Sequence, residues 1–417
     1  MQLPLDVLRI IFTEYAKQET PEHPLETLLL ICKTWTRLCL QSPLLWSRFD
    51  ISISDACEAR RWATIVPKRL ARSGPASPLH IVIMNRRKPV LSYCDVCGND
   101  KNHLDYFRGV LPRVEQEDDQ CWCLTDSRTS IESILQVLAG NQGFFCHRWV
   151  TLHLSLHFAD QLTSLYESLV YPTPNLRTLT IRGVIKPLID QEMSKIFPST
   201  PILSDLSLAL KGWGRLPVAH GLTQTGSHLG RLEIERYKIL IGSLPLNLVN
   251  LRSLVMRHSM HRYSHLEPSI ISVPNLTSFI LEINIMTPKK PEYCFVIPFD
   301  NLQTLGLFQF GLLGGITPTM DSFVGRTIMD LLRRAKNVKQ IAGDTFSIAV
   351  LFHILSQSPL PAGISLTTGQ LTICVMERNQ YSRIESIFAE GERVYTINMG
   401  DDMIEDIERI KQVERMD

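Results

Sequence analysis

Pro274-Asn275-Leu276-Thr277-Ser278-Phe279-Ile280-Leu281 opens on a turn pair and then sets Leu276, Phe279 and Leu281 at the first, fourth and sixth positions of a phrase. That spacing recurs along the chain. It appears as Trp149-x-x-Leu152-x-Leu154, Leu176-x-x-Leu179-x-Ile181 and Leu203-x-x-Leu206-x-Leu208. It returns as Leu229-x-x-Leu232-x-Ile234, Leu251-x-x-Leu254-x-Met256 and Leu302-x-x-Leu305-x-Leu307, and then in reduced form as Val338-x-x-Ile341. Successive phrases begin 27, 27, 26, 22, 25, 26 and 36 residues apart. Alternate residues of a strand share one face, so each phrase reads as a short strand whose apolar side meets a shared core.

All spacings but the last fall within the 20–29 residues of leucine-rich repeats, in which a strand alternates with a returning segment. Asparagine opens several phrases (Asn175, Asn250, Asn275, Asn301, Asn337), twice after a proline (Pro174, Pro274), and these residues favour the turn that enters the strand. The asparagine expected after the strand is nearly absent, with Asn284 the main candidate, so the repeats are irregular. Leu79–Ile83 reads as an earlier strand of the same sheet. Leu371–Val375 and Val394–Ile397 read as closing strands, with helices over about 130–138 and 403–413.

The other organised segment is the N-terminus. Pro4 suits the first turn of a helix. Leu5, Leu8, Phe12 and Tyr15 then hold one helical face, while Val7, Ile10 and Ile11 widen it. A helix apolar on nearly every side needs a cover for its second side, and a partner protein supplies one. A second helix is expected over 25–40, with Leu28, Ile31, Cys32, Trp35, Leu38 and Cys39 on one broad face. Ser42-Pro43 starts a short third helix carrying Leu44, Leu45 and Trp46, and Phe49–Ile53 reads as a strand leaving it.

Three blocks in this order, Leu3-Pro4-x-Asp6-Val7-Leu8-x-x-Ile11-Phe12, Leu30-Ile31-Cys32-Lys33-x-Trp35 and Ser42-Pro43-x-Leu45-Trp46-x-x-Phe49, resemble the F-box in its fungal form. The resemblance covers about an eighth of the chain. It implies a three-helix module that docks on a Skp-type adaptor and, through it, on a cullin, as the substrate receptor of a ubiquitin ligase. It assigns adaptor contact to Leu3, Pro4, Leu8, Ile11, Phe12, Ile31, Cys32 and Trp35. A plain helical cap on the repeats is the competing reading of the same residues.

The expected fold is therefore α/β: an F-box-like helical module over 1–50, a linker over 51–148 with a first strand and an insertion at 85–128, and a repeat domain with a C-terminal cap over 149–417. In such a domain the residues between core positions face the concave side. Here these are Arg182, Glu233, Glu235, Arg257, Glu282 and Phe308, with Val255 and Ile280 among them. They are the candidate surface for an unknown protein target.

The insertion carries Cys94-x-x-Cys97 and Cys121-x-Cys123 with His103 between. A zinc knuckle is the sharp reading of these thiols, and a loop of free cysteines is the bland one; the one-residue spacing of the second pair fits a knuckle poorly. No resident metal or cofactor is expected. A net charge of +1 lacks the basic footprint of a nucleic-acid binder. No apolar run reaches bilayer length, no leader pattern follows Met1, and the scattered cysteines suit a reducing compartment, cytoplasmic or nuclear. Phosphate-loop, zinc-protease, nucleophile-elbow and kinase motifs are all missing. The chain reads as a non-catalytic receptor, with a repeat scaffold that plays no part in ubiquitin transfer as the alternative.

Overall fold

The computed structural model describes residues 4–17, 24–53, 56–85, 131, 133–156, 169–184, 200–211, 228–235, 246–257, 271–284, 295–310, 323–357, 364, 366, 370–375, 394–398, 407 and 409–410. The chain divides into two compact units, Met1–Leu203 and Ser204–Asp417. The class is α/β, with mostly parallel strands that repeat in the manner of a solenoid.

The first unit opens with helices α1 (Leu5–Lys17), α2 (Pro24–Ile31) and α3 (Lys33–Leu40), followed by a 3-10 turn at Pro43–Trp46. The single helix expected over 25–40 is two. Cys32 is extended (φ −161°, ψ 164°) and separates them, and the Thr36 hydroxyl bridges the break by donating to Leu29 O at 2.7 Å and Cys32 O at 3.0 Å. A run of apolar spacing cannot reveal such a break, because both halves keep helical periodicity. Leu8, Phe12, Leu25, Leu28, Leu38, Cys39, Leu45 and Trp46 form a core internal to this module, with Tyr15, Leu29 and Trp35 packed on it. The Trp46 indole donates to Cys39 O at 2.8 Å, and the Arg72 guanidinium lies 4.6 Å from its ring centroid.

Strands β1 (Arg48–Ile53), β2 (Leu79–Asn85), β3 (Trp149–Leu156) and β4 (Thr178–Val184) pair in parallel and in sequence order. One face carries the rows Phe49–Ile81–Leu152–Leu179 and Ile51–Ile83–Leu154–Ile181, all buried. Between β1 and β2 runs α4 (Ala56–Arg72), which lacks a sequence signature because its arginines mask the apolar stripe. Ala59, Trp62, Val66 and Leu70 bury that stripe, and the Trp62 indole donates to Ser52 O at 3.0 Å. Helix α5 (133–139) precedes β3, and its Leu138 O accepts from the Trp149 indole at 3.1 Å. Among the described residues buried Arg148 meets no carboxylate; its guanidinium donates to Ser73 Oγ and Ser77 O at 2.7 and 2.8 Å and ties the end of α4 to the start of β3.

The second unit holds β5 (Asp205–Lys211), β6 (Arg231–Glu235), β8 (Ser253–Arg257), β10 (Ser278–Asn284), β12 (Thr304–Phe310), β13 (Gln340–Gly343) and β14 (Gln370–Val375) in parallel, closed by antiparallel β15 (Val394–Asn398). The two-residue strands β7 (Leu246–Asn247), β9 (Ile271–Ser272) and β11 (Phe295–Val296) form a second small parallel sheet before their phrases. Every phrase residue whose side chain is described is buried, including the reduced phrase at Val338 and Ile341. The anomalous 36-residue step holds helix α6 (Phe323–Arg334), and α7 (Thr345–Leu355) follows β13. Asp344 caps α7 by accepting from Ser347 N at 2.8 Å and from the Ser347 hydroxyl at 3.1 Å.

The turns entering the phrases share one construction. Leu176 N donates to Thr173 O, Leu203 N to Thr200 O, Leu251 N to Leu248 O, Leu276 N to Val273 O and Leu302 N to Phe299 O. Proline at the second turn position in Thr173–Leu176, Thr200–Leu203 and Val273–Leu276 fixes the required φ. The asparagine just before the phrase reaches back to the previous repeat. Asn175 donates to His147 O, Asn275 to Val249 O, Asn301 to Pro274 O and Asn337 to Asp300 O, at 2.6–3.2 Å. The ladder looked for after the strands lies before them.

Candidate functional site

Two surfaces compete for function, and the first is on α1–α3. Packing of Leu8 and Phe12 into the module core leaves the opposite side of α1 uncovered: Leu5, Val7, Ile10 and Ile11 are exposed, Ile10 to 64%. The break at Cys32 lets α2 end with Leu30 (85% exposed) and Ile31 in solvent, and Leu40 and Leu44 are exposed on α3 and the turn after it. Large apolar side chains at such density are unusual on a free surface and mark interaction sites. Beside them an open depression of about 430 Å³ is lined by Lys33, Thr36, Arg37, Leu40 and Gln41. The basic residues Lys33 and Arg37 therefore stand next to the apolar side chain of Leu40.

The residues expected to contact an adaptor fall into three groups. Pro4, Ile11, Ile31 and Cys32 are exposed. Leu8 and Phe12 point inward, and Trp35 is half-buried with its ring 4.7 Å from that of Phe12, so these three hold the helices together. Leu3 lies outside the described residues. The other exposed apolar residues here are Ile10, expected on the widened face of α1, and Leu30, Leu40 and Leu44, to which the resemblance assigned no adaptor contact. The crowding of apolar residues around α1 signalled Ile10, and it did not say which side the module's own core would take.

The second surface is the face of the sheets opposite the leucine rows. The six residues expected there do not form one open surface. Glu233, Glu282 and Phe308 are buried, Phe308 completely. Glu233 lies 3.9 Å from the Arg231 guanidinium. The register places Glu233, Val255, Ile280, Gly306, Ala342, Cys374 and Val394 side by side on successive strands. Val255, Ile280, Phe308, Ala342 and Cys374 pack into a second apolar cluster. The cause is compositional: phrases such as Leu254-Val255-Met256 and Phe279-Ile280-Leu281 are apolar on both faces, the pattern of a strand buried on both sides. Glu235 and Arg257 are neighbours in register on β6 and β8, and their side chains lie outside the described residues. Arg182 sits on β4 in the first unit, where the corresponding face is open.

On that open face the His80 imidazole Nδ1 is 3.2 Å from the Thr151 hydroxyl. Burial first, and then the Arg48 charge, hold the His80 pKa below the ordinary histidine value, with Asp50 partly opposing them. Arg48 Nε in turn donates to Asp50 Oδ2 at 2.5 Å.

Cys94, Cys97, His103, Cys121 and Cys123 lie outside the described residues. Among the described residues no three His, Cys, Asp or Glu side chains come together as a metal site, and no helix is long and apolar enough to cross a membrane. No protein-family model matches the chain, and no curated protein matches it at a significant level.

Proposed function

We propose that the chain is the substrate-receptor subunit of a Skp–cullin–F-box ubiquitin ligase, holding the adaptor with α1–α3 and a protein target with its leucine-rich repeats. The observation that carries this reading is the open apolar face of Val7, Ile10, Ile11, Leu30, Ile31 and Leu40 on a helical module that already has its own core. A cap that served only to close the repeats would turn such residues toward them. Lys33 and Arg37 beside Leu40 suit a partner with an apolar helix and an acidic border. The chain does no covalent chemistry in this reading. It raises the effective concentration of target lysines at the transfer site.

Co-expression with a Skp-type adaptor tests it. The wild type is expected to co-purify with adaptor and cullin. Ile10→Asp and Leu30→Asp change exposed positions and leave the module core intact, so each is expected to weaken capture at least tenfold with an unchanged circular dichroism spectrum. Capture that survives both substitutions overturns the reading, and adaptor without cullin favours the scaffold alternative.

A further inference from the structure

We propose that the open face of β1–β4 receives an acidic peptide segment, with Arg182 as its anchoring cation; this rests on the receptor reading above and locates the target surface within it. The register sets three rows across these strands: Arg48–His80–Thr151–Thr178, Asp50–Val82–His153–Thr180 and Ser52–Met84–Ser155–Arg182. Every residue of the three rows keeps contact with solvent except Thr180. The corresponding face of β8–β14 is filled by its own side chains, from Val255 to Cys374. A target therefore has room on the first unit's sheet and none on that row of the second.

The charge of the open face is unbalanced. Asp50 is the sole acid among the twelve positions, and Arg48 already engages it. Arg182 has no carboxylate partner among the described residues, and its Nε–H is shut off from water with no acceptor. The Arg182 side chain as a whole keeps contact with solvent, and an uncompensated guanidinium there attracts a carboxylate, with which it makes a short charge-assisted bond. Thr151, Ser155 and Ser52 add hydroxyl donors, and His80 and His153 add imidazoles. Arg182 is the remaining formal charge on the face, and it is positive.

The chemistry also sets the form of the ligand. Val82 and Met84, half-exposed on β2, are the apolar part of the face. They lie two strands from Arg182, or roughly 10 Å at the usual strand separation. An extended peptide covers that distance in about three residues. The segment read here pairs an Asp or Glu with an apolar residue about three positions away.

Selection of random 12-residue peptides displayed on phage, with the full-length chain as bait and Arg182→Glu as counter-bait, tests the assignment. Enriched peptides are expected to carry an acid about three residues from an apolar side chain. A fluorescein-labelled copy is expected to bind the wild type and to lose at least tenfold in affinity on Arg182→Glu. Arg182→Gln gives an intermediate loss and serves where the glutamate variant does not fold. Arg326→Glu, at an exposed cation on α6, leaves affinity unchanged. Enrichment of basic or purely apolar peptides, no enrichment, equal binding by the Arg182 variants, or preference for a single-stranded RNA oligonucleotide overturns the proposal. Adaptor capture by Arg182→Glu, measured alongside, reads the helical module separately, so failure on the sheet is distinguished from failure of the receptor reading.

Discussion

At the level of single residues, asparagine does more than permit a turn. Asn275 holds the third position of the Val273–Leu276 turn and donates its amide across to Val249 O at 2.8 Å. Asn275→Ala keeps the turn accessible and removes the bond between repeats. At an exposed site the expected cost is about 1 kcal/mol, read as a lower urea midpoint with an unchanged slope. A change below the error of the measurement would mean that solvent replaces the bond fully. His80 gives a second prediction. Its pKa is lowered by folding, so the unfolded chain binds more protons as pH falls through the ordinary histidine range near 6.5. Stability is therefore full above that range and declines as pH falls toward the folded value. The thermal midpoint is expected to drop between pH 7.5 and 5.5, and His80→Gln is expected to show a smaller drop. An equal drop in both proteins assigns the effect to other groups.

Elements reveal what patterning can and cannot convey. The strands were legible because each phrase places two or three leucine-like side chains at fixed spacing, and every described one is buried. Helix α7 was not legible, since Thr345–Leu355 is apolar all round and has no period to read. The candidate sites were half legible for a similar reason. Composition announced that α1 had too many apolar faces, but the choice of Leu8 and Phe12 for the core, leaving Ile10 outside, is made by packing against Leu28, Leu38 and Trp46. On the sheet, alternation predicts one solvated face, whereas Ile280 and its neighbours close it. Gly306 records how tightly: a Cβ there would stand 2.8 Å from Ile280 Cγ1 and Cγ2. Gly306→Ala is expected to destabilise by about 1–3 kcal/mol through overpacking. In an Ile280→Ala background, where both Cγ atoms are gone, the same change is expected to cost less in a double-mutant cycle. Simple additivity of the two changes would show that the contact is not what limits the site.

For the molecule as a whole, cysteines report on the two units independently. Cys146 is buried in the first, its pKa pushed up to about 12, and Cys374 is buried in the second, raised to about 11; burial is the cause in both. Neither is a reactive thiolate near neutral pH, while Cys32 is exposed. Iodoacetamide at pH 8 is expected to label Cys32 in the native protein and to reach Cys146 and Cys374 only on unfolding, as read by peptide mass spectrometry. In a structure where each repeat leans chiefly on its neighbours, Leu305→Ala is expected to expose Cys374 at lower urea than Cys146. Simultaneous exposure would make the chain one cooperative block.

The asparagine ladder fixes how the repeats meet and leaves their length free. Asn337 reaches Asp300 O at 2.7 Å across a step of 36 residues, as closely as Asn275 reaches Val249 across one of 25. The contact thus works as a clasp at the start of the four repeats that carry it, indifferent to the number of residues between one clasp and the next. In engineering terms the repeats tolerate a change of length between clasps, whereas the removal of one residue from a Pro-Asn entry turn throws the following strand out of step.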